Sequence, residues 1–204
     1  GSASSSARNR WISPTAGELE GLQTSGVLSG SIDLKVVDGA LTTSGDVTID
    51  DLLARGPKLS GDELRQSPVK VGWKAAGQGG VYHVERFSVD APAATLSASG
   101  DLPPAADRSA KLEGRIDLTV ANQLRRTLRL LDDVTIEKGA VALNAEIVAR
   151  PAAPGVEAGQ RIEITTDLND LAARKGDKTI AWNDPTTLVV KLDRNAQAIA
   201  LEQL

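Results

Sequence analysis

The sequence predicts a mainly β protein, an antiparallel meander of about nine to ten strands forming a curled open sheet or groove, with a sandwich as the alternative closure. One amphipathic helix and short helical turns interrupt it. Three observations predict this class. Apolar and polar residues alternate along most of the chain, as where Ile32, Leu34 and Val36 flank Asp33 and Lys35. Turn-forming pairs such as Asp38-Gly39 fall between the alternating runs. The apolar residues are mostly Val, Ile, Leu and Ala, with aromatics at 2%, so any enclosed space is lined by small aliphatic groups.

Taken in order, Gly1-Ser2 reads as a cloning scar and Ser4-Ser5-Ser6 as a flexible lead-in. Ser13-Pro14 followed by Glu18, Leu19 and Leu22 predicts a short helix with a serine cap and proline in its first turn. Period-two alternation starts at Leu28, turns at Asp38-Gly39 and continues through Leu41, Val47 and Ile49. Val69, Val71 and Trp73 form the next strand, and Gly77-Gln78-Gly79-Gly80 a turn. The chain returns over Val81 to Val89, then through Leu96, Ala98 and Leu102, and through Ile116, Leu118 and Val120. Asn122 then caps a predicted helix with Leu124, Leu128 and Leu131 on one face and Arg125, Arg126 and Arg129 on the other. Strands resume at Val134 to Ile136 and Val141 to Ile147 across a Lys138-Gly139 turn. A loop over 151–159 leads to strands near Ile162 to Leu168, Leu188 to Leu192 and Ala198 to Leu204. The organisation expected is a lead-in over 1–25, a first β module over 26–120, a connecting helix over 121–133 and a second, truncated β module over 134–204.

That division rests on an internal repeat. Asp50-Asp51-Leu52-Leu53-Ala54-Arg55-Gly56 resembles 169–176, with Asp51 matching Asp170 at an offset of 119 residues. Each segment reads as a strand end, a capped helical turn and a glycine stop. Tyr82-His83-Val84-Glu85-Arg86-Phe87 resembles Ile199-Ala200-Leu201-Glu202-Gln203-Leu204 at an offset of 117. In both, the apolar alternation slips by one residue across Glu-Arg or Glu-Gln, the mark of a β-bulge. The second copy stops before a counterpart of 88–102, so a parent chain that continues is expected.

Composition narrows the function. A net charge of −4 supplies no basic stripe for nucleic acid. No apolar run reaches the roughly 20 residues of a membrane helix. The absence of cysteine removes disulfides, thiolate metal sites and a cysteine nucleophile. His83 is the only histidine, with no partner histidine for a metal and no Gly-x-Ser-x-Gly elbow for a serine nucleophile. The glycines at 77–80 lack the lysine and helix of a phosphate loop. Asp50-Asp51 and Asp132-Asp133 read as caps and turns, because neighbouring strand residues point to opposite faces. The arginines at 125, 126 and 129 read as a solvated face, and Trp182 as the start of a turn through Pro185. No enzyme, cofactor or metal is expected.

Several strands carry a shared pattern: Leu28-Ser29-Gly30-Ser31-Ile32-Asp33-Leu34, Gly45-Asp46-Val47-Thr48-Ile49, Val84-Glu85-Arg86-Phe87-Ser88-Val89-Asp90 and Thr95-Leu96-Ser97-Ala98-Ser99-Gly100-Asp101-Leu102. This order, across 26–204, resembles the AsmA-like superfamily of bacterial envelope proteins, including its TamB type. The resemblance implies a periplasmic module of a membrane-anchored parent, an open β-sheet curled around an apolar groove, and a part in lipid transport or outer-membrane assembly. Its implied partners are phospholipid acyl chains and neighbouring repeats of the same parent, with an edge-to-edge dimer as a further expectation. The groove-lining residues expected are Leu34, Val36, Val47, Ile49, Val71, Trp73, Leu96, Ile116, Leu143 and Ile164. The alternative is a structural or protein-interaction β-repeat module whose inner face is filled by its own side chains.

Overall fold

The computed structural model describes residues 4–19, 21–105, 108–152, 158–195 and 199–203. Thirteen strands, all in one antiparallel sheet, are β1 (Ser4–Leu19), β2 (Leu22–Val37), β3 (Ala40–Arg55), β4 (Glu63–Gln66), β5 (Val69–Gln78), β6 (Val81–Ala91), β7 (Ala94–Ala105), β8 (Arg108–Asp117), β9 (Val134–Arg150), β10 (Gly159–Lys175), β11 (Lys178–Trp182), β12 (Thr186–Asn195) and β13 (Ile199–Gln203). Eleven of them follow one another as neighbours from β1 to β13, while the short β4 and β11 pair only with β3 and β10. The two end strands do not pair, so the sheet is open. A single sheet also excludes the sandwich.

Turn chemistry sets the meander. Asp38 and Gly39 have φ of 49° and 76°, and Gly79 and Gly80 have φ of 60° and 85°. Both are two-residue turns with two positive φ angles, the form whose twist matches that of paired strands.

The internal repeat is a repeat of register. Asp51 and Leu52 together oppose Gly26, and Asp170 and Leu171 together oppose Gly139. Each is a bulge, with Asp51 and Asp170 in the left-handed region at φ of 53° and 52°. Aspartate tolerates that conformation better than most residues. The helical turns expected here are therefore replaced by strand that continues past the bulge, and the Lys138-Gly139 turn by an unbroken β9. The second predicted slip is present in both copies. Glu85 is the extra residue between β5 and β6, and Glu202 the extra residue between β12 and β13. In each copy the strand beyond the first bulge takes a short partner, β4 or β11.

Two predicted helices are absent. Residues 13–19 lie in β1, where backbone pairing to the edge of β2 prevails over the local capping pattern. Residues 121–133 form the end of a 3₁₀ segment (Leu118–Gln123) followed by turns. The strand expected through Leu118 and Val120 stops at Asp117, whose carboxylate accepts from Thr119 N at 2.8 Å. A leucine stripe stabilises a helix only when something covers it, and Leu128 and Leu131 are exposed. Asn122 caps nothing helical. Its side-chain amide donates to Ile136 O at 2.7 Å and accepts from Ile136 N at 2.9 Å, completing the ladder at the start of β9. Gly1-Ser2, 153–157 and parts of the last strand expected (Ala198, Leu204) lie outside the described residues.

Hydrogen bonds latch this connection to the one between β3 and β5. Gln123 Oε1 accepts from Arg65 N at 2.8 Å, and Thr127 donates from its backbone N (2.8 Å) and hydroxyl (3.0 Å) to Asp62 Oδ2. The same hydroxyl lies 2.7 Å from Leu59 O. Between the two loops, Ala93 N donates to Gln66 Oε1 at 3.0 Å and Ala93 O accepts from Asp117 N at 2.9 Å. The buried apolar residues among those described, Ala54, Val69, Ala140 and Ala172, all lie toward this end of the strands.

Gly100 tests the packing between β7 and β8. Its φ is +120°, and a Cβ would sit 2.1 Å from Ser109 O. Gly100→Ala is expected to cost about 2–4 kcal/mol in denaturant unfolding, and Gly79→Asn, in an open turn, within about 0.5 kcal/mol. The latch has a pH signature. The backbone N–H of Thr127 holds the Asp62 carboxyl below its ordinary value of 3.8. Stabilisation from a lowered carboxylate is present above 3.8 and lost as pH falls through the lowered folded value. Amide protection of Thr127 should therefore fall in that acid range, and Asp62→Asn should remove the pH dependence.

Candidate functional site

Cross-strand register carries one apolar face through the sheet. Trp73 opposes Phe87, which opposes Ala98, followed across the next strands by Leu112, Ala145 and Ile164. The adjacent row reads Ala75, Val84, Gly100, Ala110, Ile147 and Ile162. These two rows bound a cavity of about 670 Å³, completed by Leu102 and the chain at Ser99 and Lys111. Six consecutive strands, β5 to β10, contribute to it. A single layer bounds a cavity only by curling around it, so this face is concave.

The opposite face is charged. Lys111, Glu146, Glu163 and Lys191 oppose one another in sequence across β8, β9, β10 and β12. Lys111 Nζ lies 3.9 Å from Glu146 and Lys191 Nζ 3.4 Å from Glu163. The lysine at the cavity thus contributes its backbone, while its side chain leaves on the outer side, where its ammonium pairs. His83 also points outward, with Nδ1 2.6 Å from Oδ1 of Asp101, which is 2% exposed.

Small residues shape the interior. Trp73 Nε1 donates to Thr43 Oγ1 at 3.1 Å, and the indole lies over Gly45, where a Cβ would approach ring carbons to 2.4 Å. The Tyr82 ring covers Gly77 in the same way, and a Cβ there would stand 2.6 Å from its nearest ring carbon. Glycine beneath an aromatic lets the ring lie flat along the sheet and keeps the trough open above it.

Register places all ten of the predicted groove residues on the same side of the sheet as the cavity. Val47, Val71, Leu96 and Leu143 form the row beside Trp73, and Ile49 and Ile116 the row beyond it. Leu34 and Val36 oppose Thr43 and Leu41 in the rows on the other side. Only Trp73 and Ile164 line the cavity itself; the others extend the same apolar surface, with Leu34, Val36 and Ile116 exposed. Sequence reasoning missed most of the cavity wall, including Ala75, Val84, Phe87, Ala98, Ala110 and Leu112. Alanine carries a weak alternation signal, and the pattern predicts no strand over 108–115. The slip at Glu85 is the sequence feature that locates Val84 and Phe87 on one face.

Chemically, the site offers carbon surface and dispersion contacts. Among the described residues no group of three or more His, Cys, Asp or Glu side chains is placed to hold a metal ion. Among the described residues no helix is long and apolar enough to cross a membrane. No protein-family model, no curated protein and no solved structure matches this chain.

Proposed function

We propose that this chain is a non-enzymatic lipid-binding module of the bacterial envelope, of the AsmA-like or TamB kind, whose concave face accepts the acyl chains of phospholipid in the periplasm. The observation that carries the reading is the uncovered apolar trough across six strands, with a cavity of about 670 Å³ lined almost wholly by carbon. That volume falls in the usual range for small-molecule sites. Each methylene moved from water into such a trough contributes about 0.8 kcal/mol, so a chain of methylenes is held without any polar contact. A headgroup stays in water, since the lining presents no charged group to receive one. In the envelope, the module would serve lipid transport or outer-membrane assembly as part of a membrane-anchored parent.

The filled-core alternative calls for an inner face packed by large side chains. Instead, no side chain among the described residues is fully buried, and the chain exposes 13,232 Å². A compact monomer of 21.3 kDa exposes about 9,100 Å² by the usual scaling with mass. An excess of this kind belongs to a one-layer sheet with both faces exposed, and it accords with an inner face that its own side chains leave uncovered.

Native mass spectrometry with lipid extraction tests the reading. Phospholipid is expected to copurify with the chain. Ala98→Trp, which fills the middle of the trough, should reduce the bound fraction about tenfold, the effect of losing about two buried methylenes. A folded Ala98→Trp variant that carries as much lipid as the parent sequence, or a parent sequence that binds none when offered, would sink the proposal.

A further inference from the structure

The duplicated register exposes an interface that is filled once and open once. In the first copy, the outer edge of β4 is covered by the connection between β8 and β9. Gln123 Oε1 receives the N–H of Arg65 at 2.8 Å, and Thr127 fastens the same connection to Asp62. In the second copy, β11 holds the place of β4. Leu53 opposes Arg65, and Ala172, its equivalent at an offset of 119 residues, opposes Ala181. Ala181 therefore stands where Arg65 stands, with its N–H directed to the outer edge.

Nothing among the described residues pairs with that edge, since β11 joins the sheet through β10 alone. All five of its residues are exposed, Ile180 at 66% and Trp182 at 55%. An apolar, unpaired edge strand is a pairing template that natural proteins normally cover. By contrast, the edge of β4 is already occupied.

We infer that the edge of β11 is the docking site for a following module of the same repeat, whose own β8–β9-type connection seats on it through the counterpart of the Gln123 contact to β4. The Thr127 bonds to Asp62 and Leu59 have no counterpart there, because a two-residue turn at Gly176-Asp177 stands in place of residues 56–62. Continuity of the established interface identifies the occupant. Beyond β11, the bulge at Glu202 reproduces the bulge at Glu85 at an offset of 117 residues, two fewer than at the first bulge. A sheet propagated in this register brings the next such connection over Ala181 by the same path. The amide of a glutamine at the position of Gln123 would accept the Ala181 N–H, and Ile180 and Trp182 would be covered. This inference does not depend on what occupies the trough.

The test uses the whole chain with the repeat continued in phase. Gln203 is the equivalent of Arg86, so residues 1–203 joined directly to a second copy of residues 87–150 keep the register. Amide exchange is then read by NMR. In the unextended chain the Ala181 amide should exchange faster than that of Arg65. In the extended chain Ala181 exchange should slow about tenfold, the factor that one hydrogen bond supplies, and Gln123→Ala in the appended copy alone should restore the fast rate. If the appended strands are protected while Ala181 exchanges as before, the docking site is wrong. An appended copy that gains no protection anywhere overturns it equally, because docking is what should order it.

Discussion

Antiparallel backbone pairing, carried without a break from β1 to β13, is the constraint on which the rest of this molecule depends. Most domains gain stability by pressing one layer on another. Among the described residues no second layer is present, so the ladder fixes which side chains share a face, and the local curl of the sheet does the rest. Because a slip of one residue would invert a whole strand, each bulge has to be compensated by its neighbours. At Glu85 the extra residue is absorbed against both β5 and β7, which returns Phe87 to the face that Val84 left. The trough persists across the phase change for that reason.

Packing proper is concentrated where the loops meet. Ala54, Val69, Ala140 and Ala172 are buried near the connections that Gln123, Thr127 and Asp62 hold together. A hypothetical Cβ on Gly139 would lie within 3.2 Å of both Leu118 and Leu171, which shows how tightly the 3₁₀ segment sits on β9 and β10 there. The molecule thus divides its labour: one margin of the sheet is closed by side-chain-to-backbone hydrogen bonds, and the rest of the concave face is left uncovered. The two copies of the bulged unit differ in whether the short outer strand is covered, in the connection that leads to it (56–62 with a 3₁₀ turn against a two-residue turn at 176–177), and in a further register shift at Ala172/Ala173 found only in the second.

Much of this was legible in the residues. Alternation placed Val47, Val71, Leu96 and Leu143 on a common face because aliphatic–polar contrast is strong there, and Asp38-Gly39 announced its turn. The slip across Glu85-Arg86 and again across Glu202-Gln203 marked both bulges. Other features depend on tertiary context. Asn122 followed by Leu124, Leu128 and Leu131 has the local form of a capped helix, yet the ladder at Ile136 and the acceptor at Asp62 draw its polar groups elsewhere. Asp51 and Asp170 offered capping side chains, but the glycines opposite them, Gly26 and Gly139, make room for bulges, and that pairing is invisible without register. Ala75, Ala110 and Ala145 in the cavity wall carried little such contrast because alanine suits either face, and Ala98, though read in its strand between Leu96 and Leu102, gave no sign of being part of the wall.

One face of this sheet carries an open hydrocarbon trough and the other is charged. Methyl NMR during titration with a spin-labelled fatty acid tests it directly. Paramagnetic broadening should concentrate on Ala98, Leu112, Ala145 and Ile162, while Ala142 and Val189, on the outer face, stay sharp. Equal broadening of both sets, or none at saturating ligand, would mean that the apolar face does not take up the hydrocarbon chain.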